Sequence, residues 1–553
     1  MPTRSLRGSP ITTDPVADLR GVVGQAATEL RGDGLVDLPR LERPPKADFG
    51  DYSTNAALLL APELGEQPRA IAERLGDALG SRLGPAVEKV EIAGPGFLNL
   101  FMADGWYLAA VAGLIAAGER YGDGEPETRE RIGVEFVSAN PTGPITVASA
   151  RHAAYGDSLS RMLETAGHDV EREYYVNDYG TQTRLFGESI RARARGEEPP
   201  EDGYRGDYVT ELAERIEGAA DGDPEELAGR GVELMLEQIQ GTLERFRVRM
   251  DIFFSERSLH EGGAIQKAFD ELEEREHLYP LDGAVWLRTT TFGDDKDRVL
   301  MRSSGEITYF GADIPHHEDK LRRGYDRAID ILGADHHGYV ARMKAAWEAI
   351  GGDPERFEIV IMQLVNLLEG GRRAQMSKRQ GEFVTLDDLL DDIGVDAARW
   401  FLLQRSHDTT LDLDLELARR HTQENPVYYV QYAHARIASI LRKAGSARVE
   451  EALAADLVAS DEELHPSARG LIKRLLEFPA EVTEAADRRA PHRLTTYAHE
   501  TAQEFSAFYR DVKVVGAAEE GGDEDLRIAI CVLTKRVLAR SLELLGIEAP
   551  EEM

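Results

Sequence analysis

The sequence predicts an α/β chain in three parts: an open parallel sheet interrupted by an insertion, a small α+β unit before it, and an all-helical bundle after it. Three observations carry this. A strand, a glycine-containing loop and a helix follow one another over Arg131–Ala166. The same succession returns from Arg327 after a long charged, helical stretch. From about Leu386 onward, nearly every segment carries an apolar stripe at helical spacing. With 553 residues, 42% of them hydrophobic, the chain exceeds what one core organises, so two to four domains are expected.

Element by element, Asp18–Leu30 and Pro68–Leu83 have amphipathic helical spacing, and Val87–Ile92 and Phe97–Phe101 read as strands separated by Gly94, Pro95 and Gly96. These make a first unit over residues 1–114. A helix at Gly105–Arg120 and a polar stretch lead to a strand at Arg131–Val137. Asn140, Pro141, Gly143 and Pro144 then form a loop, and a helix runs over Val147–Ala166. Strand, loop and helix in that order present backbone donors to phosphate. Glu171–Val176 is the next strand. Leu185–Phe253 is helical and charged, with a polar linker at Glu217–Pro224. Strands resume near Ala284–Arg288, Val299–Met301 and Arg327–Leu332, which places an insertion near 188–280 inside a sheet domain spanning 115–385. Connecting helices fill 386–424. Helices at Val427–Ala444, Ala468–Glu477, Val482–Arg488, Leu494–Tyr509 and Asp525–Leu544 make a bundle over 425–553.

Composition narrows the function classes. One cysteine, Cys531, allows neither an internal disulfide nor a four-thiolate metal site. No stretch approaches 18 uncharged apolar residues, and the first 15 residues lack a signal-type apolar core, so a cytoplasmic chain without a membrane partner is expected. A net charge of -35 opposes diffuse binding to a polyanion. Lys320–Arg327 and Arg372–Arg379 are locally basic, so an RNA-binding face requires segregated charge.

The sharpest local signal is GRRAQMSKRQG at Gly371–Gly381. Its Met-Ser-Lys resembles the mobile loop of class I aminoacyl-tRNA synthetases, usually Lys-Met-Ser-Lys-Ser, with Lys378 at the second lysine and Gln375 replacing the first. A flexible lysine suits a leaving pyrophosphate, because its interaction strengthens as charge develops. YYVNDYGTQ at Tyr174–Gln182, GEITYFGADI at Gly305–Ile314, GADHHGYV at Gly333–Val340 and NPVYYVQYAHARI at Asn425–Ile437 narrow the resemblance to arginyl-tRNA synthetases. So do DFGDYSTNAA and AGPGFLNL near the start and LLGIEAPEEM at the end.

That resemblance implies a Rossmann-like catalytic domain between an N-terminal tRNA-binding domain and a helical anticodon-binding domain. It implies an arginine–tRNA ligase, a monomer with tRNA(Arg), L-arginine and ATP as partners, using ATP with Mg2+ and releasing AMP and diphosphate. Glu135, Asn140, Tyr309, Asp313 and His337 match arginine-site positions. A carboxylate such as Asp313 matches the planar donor fork of a guanidinium, and Tyr309 lies four residues before it, on one helical face. Gly143, Pro144, His336, Met376 and Ser377 match the ATP site. His336 and His337 diverge as neighbours and lack further ligands, so no protein-held metal is expected. Phe97 and Asn99 match the surface that reads the D-loop, and Tyr432, Arg436 and Met553 match the anticodon site.

One departure stands out. Where the family has Pro-Leu-His-Val-Gly-His, this chain has Pro-Ile-Thr-Val-Ala-Ser, so Thr146 and Ser149 replace both histidines. Their hydroxyls donate only neutral hydrogen bonds, and one lost transition-state donor costs about 3–4 kcal/mol in other enzymes. Two readings follow: a catalytically inactive RNA-binding or regulatory relative, or an enzyme in which His152, one turn beyond Ser149, partly restores a phosphate contact.

Overall fold

The computed structural model describes residues 14–32, 41–44, 46–373 and 384–553. The first unit is an antiparallel sheet of β1 (Leu41–Glu42), β2 (Tyr52–Thr54), β3 (Val87–Ala93) and β4 (Phe97–Met102), in the order β1-β2-β4-β3. Helices Pro15–Arg31, Ala56–Leu64 and Pro68–Leu83 accompany it. Asp14 starts the first helix by accepting the Ala17 N–H at 2.9 Å, with Pro15 in the first turn. Gly96 turns β3 into β4 at φ +150°, where a β-carbon would press on Pro68 at 3.1 Å. Buried Asp51 accepts the Met102 N–H at 2.6 Å and pairs with Lys473, joining this unit to the helical bundle.

The central sheet is parallel throughout, in the order β12-β11-β5-β6-β7. Its strands are β5 (Arg131–Glu135), β6 (Asp169–Val176), β7 (Ile252–Ser255), β11 (Arg327–Gly333) and β12 (Phe357–Met362). The chain passes from β5 to β6 and β7 on one side and returns to β11 and β12 on the other. The gap between the carboxyl ends of β5 and β11 is therefore the topological switch point, where α/β sheets bind ligands. The helix Val147–Thr165, called here the signature helix, crosses from β5 to β6 and carries the Thr146–Ser149 segment at its start.

The structure corrects the sequence reading at four places. β5 ends at Glu135 rather than Val137, because Val137 and Ser138 take φ of +70° and +39° and turn the chain sharply. β7, placed by sequence at the end of a helical region, is a member of the parallel sheet. The strands near Ala284 and Val299 do not rejoin that sheet. β8 (Leu278–Leu281), β9 (Ala284–Leu287) and β10 (Arg298–Met301) form a separate antiparallel sheet. The reason is local: Asp282 and Gly283, both at positive φ, make a two-residue hairpin that returns β9 on β8. Beyond Leu386 the chain is not wholly helical, since β13 (Val365–Glu369), itself paired with β14 (Arg372–Arg373), pairs in parallel with β15 (Leu411–Asp414).

The helical bundle contains Pro426–Ala444, Ser446–Ala454, Pro466–Leu476, Phe478–Asp487, His492–Asp511 and Glu524–Leu544. Two buried guanidinium groups bolt the signature helix to the C-terminal half. Arg151 donates to the carbonyls of Gln363, Thr409 and Ser406 at 2.8–2.9 Å. Arg399, on the helix Leu386–Leu403, pairs with Asp157 at 2.6 Å, both fully buried, and donates to the Leu545 and Phe246 carbonyls at 2.6 and 2.9 Å. Gly546 belongs to this contact: at φ +68°, its β-carbon would lie 2.3 Å from the Arg399 guanidinium. Arginine suits such sites because its planar fork can satisfy several acceptors at once.

Candidate active site

At one end of the crevice lies the loop from β5 to the signature helix. Asn140 is exposed, Gly143 and Pro144 are partly exposed, and Tyr208 steadies the loop by donating to the Thr142 carbonyl at 2.8 Å. Thr146 occupies the cap position of the helix, but its hydroxyl makes no capping bond. The first helical amide, Val147 N–H, donates to the Val384 carbonyl at 3.1 Å, and Leu386 N–H donates to the Ile145 carbonyl at 2.7 Å. The segment emerging from the Met-Ser-Lys loop is thus hydrogen-bonded to the segment bearing Thr146. Met376, Ser377 and Lys378 themselves lie outside the described residues. Ala148 is exposed and Ser149 half-buried, one turn before His152.

His152 is partly buried, and a β-carbon on Gly333 would lie 3.8 Å from its Cε1, which sets the ring against the carboxyl end of β11. Burial, aided by the Arg151 charge, pushes its pKa down to about 4. The unliganded protein therefore presents a neutral imidazole here, able to donate one hydrogen bond but without the positive charge of a histidinium. His336 and His337 are exposed on the turn Ala334–Tyr339 that follows β11, with His336 edge-on to the Tyr339 ring.

The opposite end is built on the helix Tyr309–Arg322, called here the pocket helix, which starts where Thr308 accepts the Gly311 N–H at 3.1 Å. Tyr309, in the first turn, is 74% exposed. Asp313, one turn on, is half-buried and accepts a hydrogen bond from Tyr339 Oη. Burial raises its pKa. Glu256 follows directly on β7 and was not singled out from the sequence. It is buried, and its pKa is pushed up to about 7 by burial, then by the charges of Asp313 and Asp178. Among the described residues, neither Asp313 nor Glu256 forms an ion pair with lysine or arginine. Two neighbouring carboxylates that lack such a partner are the electrostatic signature of a cation seat. The available sequence signal for Glu256 was an acidic residue at the carboxyl end of a strand, and it was lost when that strand was read into the helical region.

Beneath this seat, charges are matched. His316 Nε2 is 2.7 Å from Glu173 Oε1, and His317 Nε2 is 2.9 Å from Asp330 Oδ2. His317 Nδ1 also faces the Asp313 carbonyl at 2.8 Å. Burial works against a charged His317, but Asp330 and that carbonyl outweigh it and its pKa is raised. Lys320 lies within 3 Å of Glu135 and Asp330. Glu135, Glu173 and His316 have metal-like spacing, their donor atoms within 4.8 Å of one another, but the Lys320 ammonium already fills the cationic place.

Two further surfaces carry residues singled out from the sequence. On the helix Pro426–Ala444, Arg436 donates to Tyr432 Oη at 2.7 Å and lies over the Tyr432 and Tyr509 rings at 4.7 and 5.5 Å. Tyr428 stacks on Tyr432 at 6.4 Å. Neither Tyr428 nor Tyr509 was singled out from the sequence, because only the fold brings Tyr509 to this helix. The end of the chain crosses the same helix: Gln431 donates to the Glu548 carbonyl at 2.9 Å, and exposed Met553 is the last residue. In the first unit, Phe97 is exposed. Asn99 is only 6% exposed, between Ser53 and Glu91 of the flanking strands, so it supports that surface more than it presents a side chain.

A parallel sheet with a switch-point crevice, joined to a helical domain, is the architecture of a class I aminoacyl-tRNA synthetase. The family model described as the class I (R) tRNA synthetase catalytic domain matches residues 110–197 and 215–438. The arginyl tRNA synthetase N terminal domain matches 17–102, and the DALR anticodon binding domain matches 430–553. The arginine–tRNA ligase of Frankia alni is 45% identical over 557 residues, covering 97% of this chain and all of that one. That of Carboxydothermus hydrogenoformans is 43% identical over 532 residues, covering 93% and 94%. The solved Thermus thermophilus arginyl-tRNA synthetase superposes with a TM-score of 0.76 at 25% identity, covering 97% of this chain and 100% of that one. The chain belongs to the arginyl-tRNA synthetase family.

Proposed function

We propose that the Asp313–Glu256 seat takes the guanidinium of arginine and that the Gly143–Ser149 loop takes the phosphates of ATP. The activity is arginine–tRNA ligation. The arginine carboxylate attacks the α-phosphorus of ATP in line and pyrophosphate leaves; a ribose hydroxyl of the terminal tRNA adenosine then attacks the carbonyl carbon of the resulting mixed anhydride, the acyl–phosphate bond breaks, and AMP leaves as the ester forms. No protein nucleophile is required, so positioning and charge stabilisation carry the catalysis. The observation that carries this reading is the pair of raised-pKa carboxylates, Asp313 and Glu256, that have no lysine or arginine partner among the described residues. Lysine could not meet both in the planar, bidentate manner of a guanidinium.

In this reading Tyr309 closes over the side chain, Glu135 and Asn140 hold the α-substituents of arginine, and His337 borders them. His336, Pro144, Met376 and Ser377 surround the nucleotide, and Lys378 follows charge onto pyrophosphate. Thr146, Ser149 and His152 supply neutral donors where the family pattern has two histidines. Mg2+ enters on the ATP phosphates, consistent with Lys320 filling the one described cluster of metal-like spacing. Phe97 and Asn99 belong to the D-loop surface, and Tyr432, Arg436 and Met553 to the anticodon surface.

We divide the chain at 1–114, 115–385 with the insertion near 188–280, 386–424 and 425–553, and place it in the cytoplasm as a monomer. No helix among the described residues is long and apolar enough to cross a membrane. The test is transfer of labelled arginine to cognate tRNA with Mg-ATP, beside Lys378→Ala. Charging that is lost in the variant is the expected result. Saturable tRNA binding without charging by the wild type would overturn the catalytic reading.

A further inference from the structure

Asp330, Glu135 and Glu173 stand directly opposite one another across three adjacent parallel strands: Asp330 on β11 is the register partner of Glu135 on β5, which is the partner of Glu173 on β6. Like charges in direct cross-strand register repel, and all three are buried. The pocket helix supplies the compensation. His317 serves Asp330, while His316 and Arg323 serve Glu173. Glu135, in the middle, has a single cation within 3 Å among the described residues. That cation is Lys320, whose Nζ lies 2.5 Å from Glu135 Oε2, 2.7 Å from Asp330 Oδ1 and 3.9 Å from Glu173 Oε1.

The other Glu135 oxygen accepts from Ser138 Oγ at 2.9 Å, which the positive-φ turn after β5 bends back toward the strand end. Ser138 Oγ is itself held by the Tyr175 N–H at 3.1 Å. The carboxylate is therefore clamped from both sides at the mouth of the crevice. Lys320 sits seven residues after Asp313, two turns along the same helix, with its side chain 4% exposed. The helix that presents Asp313 thus also fixes the carboxylate on the neighbouring strand.

We propose that Lys320 is a positioning residue of the amino-acid site: its ammonium is the internal counter-cation that orients Glu135 for arginine. The proposal rests on the assignment of Glu135 to the arginine site. When Lys320 is lost, Asp330 keeps His317 and Glu173 keeps His316 and Arg323, each within 3 Å, whereas among the described residues Glu135 keeps only His316, 3.9 Å away and already bonded to Glu173. This makes the effect on substrate separable from the effect on folding.

The experiment measures arginine and ATP KM by tRNA-dependent pyrophosphate exchange, with melting temperature alongside, for Lys320→Met, Glu135→Gln, their double variant, and Lys320→Met/Asp330→Asn. The last restores charge balance and keeps the test open if the single variant folds poorly. Expected for Lys320→Met is an arginine KM raised about tenfold or more with ATP KM unchanged. Adding Asp330→Asn recovers melting temperature but not arginine KM, and on the Glu135→Gln background the lysine substitution adds less than about twofold. Recovery of KM by Asp330→Asn, or multiplicative effects of the Lys320 and Glu135 changes, would overturn the proposal and leave Lys320 a purely structural cation. An unchanged arginine KM in Glu135→Gln would instead remove the site assignment on which the proposal stands.

Discussion

Replacing Glu256 by glutamine tests the arginine seat through two properties that pull in opposite directions. The amide keeps the shape and loses the charge. A guanidinium–carboxylate contact is a pair of charge-assisted hydrogen bonds contributing about 1.5–3 kcal/mol, so the arginine KM should rise roughly 10- to 150-fold with ATP KM unaffected. The pKa of Glu256 near 7 adds a pH signature. Only the carboxylate pairs with guanidinium, so kcat/KM for arginine in the wild type should climb as pH rises through 7 and level above it; in the variant this limb should vanish. Stability should move the other way. A carboxyl whose folded pKa is raised from 4.5 to about 7 makes the native state bind more protons than the unfolded state across that window. Stability is therefore lost as pH rises from 4.5 to 7, by about 3 kcal/mol in total at pH 8. The glutamine variant escapes that loss, and its melting temperature at pH 8 should exceed that of the wild type by a few degrees. Pyrophosphate exchange from pH 6 to 8.5 and thermal melts read both effects. An arginine KM within twofold of wild type, together with a retained acid limb, would refute the argument that Glu256 faces the guanidinium.

Two further outcomes follow from other parts of the structure. His152→Ala should cut arginine activation at least about tenfold, while His152→Gln, which keeps a neutral donor, should retain most of it; equal losses in both would exclude a hydrogen bond from this position. Arg399→Met leaves buried Asp157 with only the partly exposed Arg161 as cation and the Leu545 and Phe246 carbonyls without their donor, and should destabilise the protein by about 3 kcal/mol in a urea melt, with Asp157→Leu added to it recovering part of the loss. An unaltered urea midpoint in the single variant would contradict the buried pair.

The sequence determined a great deal by itself. The helices Pro68–Leu83 and Val147–Thr165 and the bundle helices from Pro426 onward follow from apolar spacing, local caps and breakers, which act within one or two turns. Tyr309 and Asp313 were legible as one helical face for the same reason. What only the tertiary structure decided are relations among elements distant in the chain. β7 joins the parallel sheet because a neighbouring strand needs its edge, a demand that four residues of local pattern cannot announce. β9 leaves it because the Asp-Gly hairpin turns it back on β8, and β10 follows by pairing with β9. Glu256 becomes a partner of Asp313, and Lys320 the counter-cation of Glu135, only when β5, β6, β7 and β11 are laid side by side under the pocket helix. A side chain's type is written in the sequence, but its charge state and partner depend on burial and on neighbours more than a hundred residues away, and those exist only once the sheet has closed.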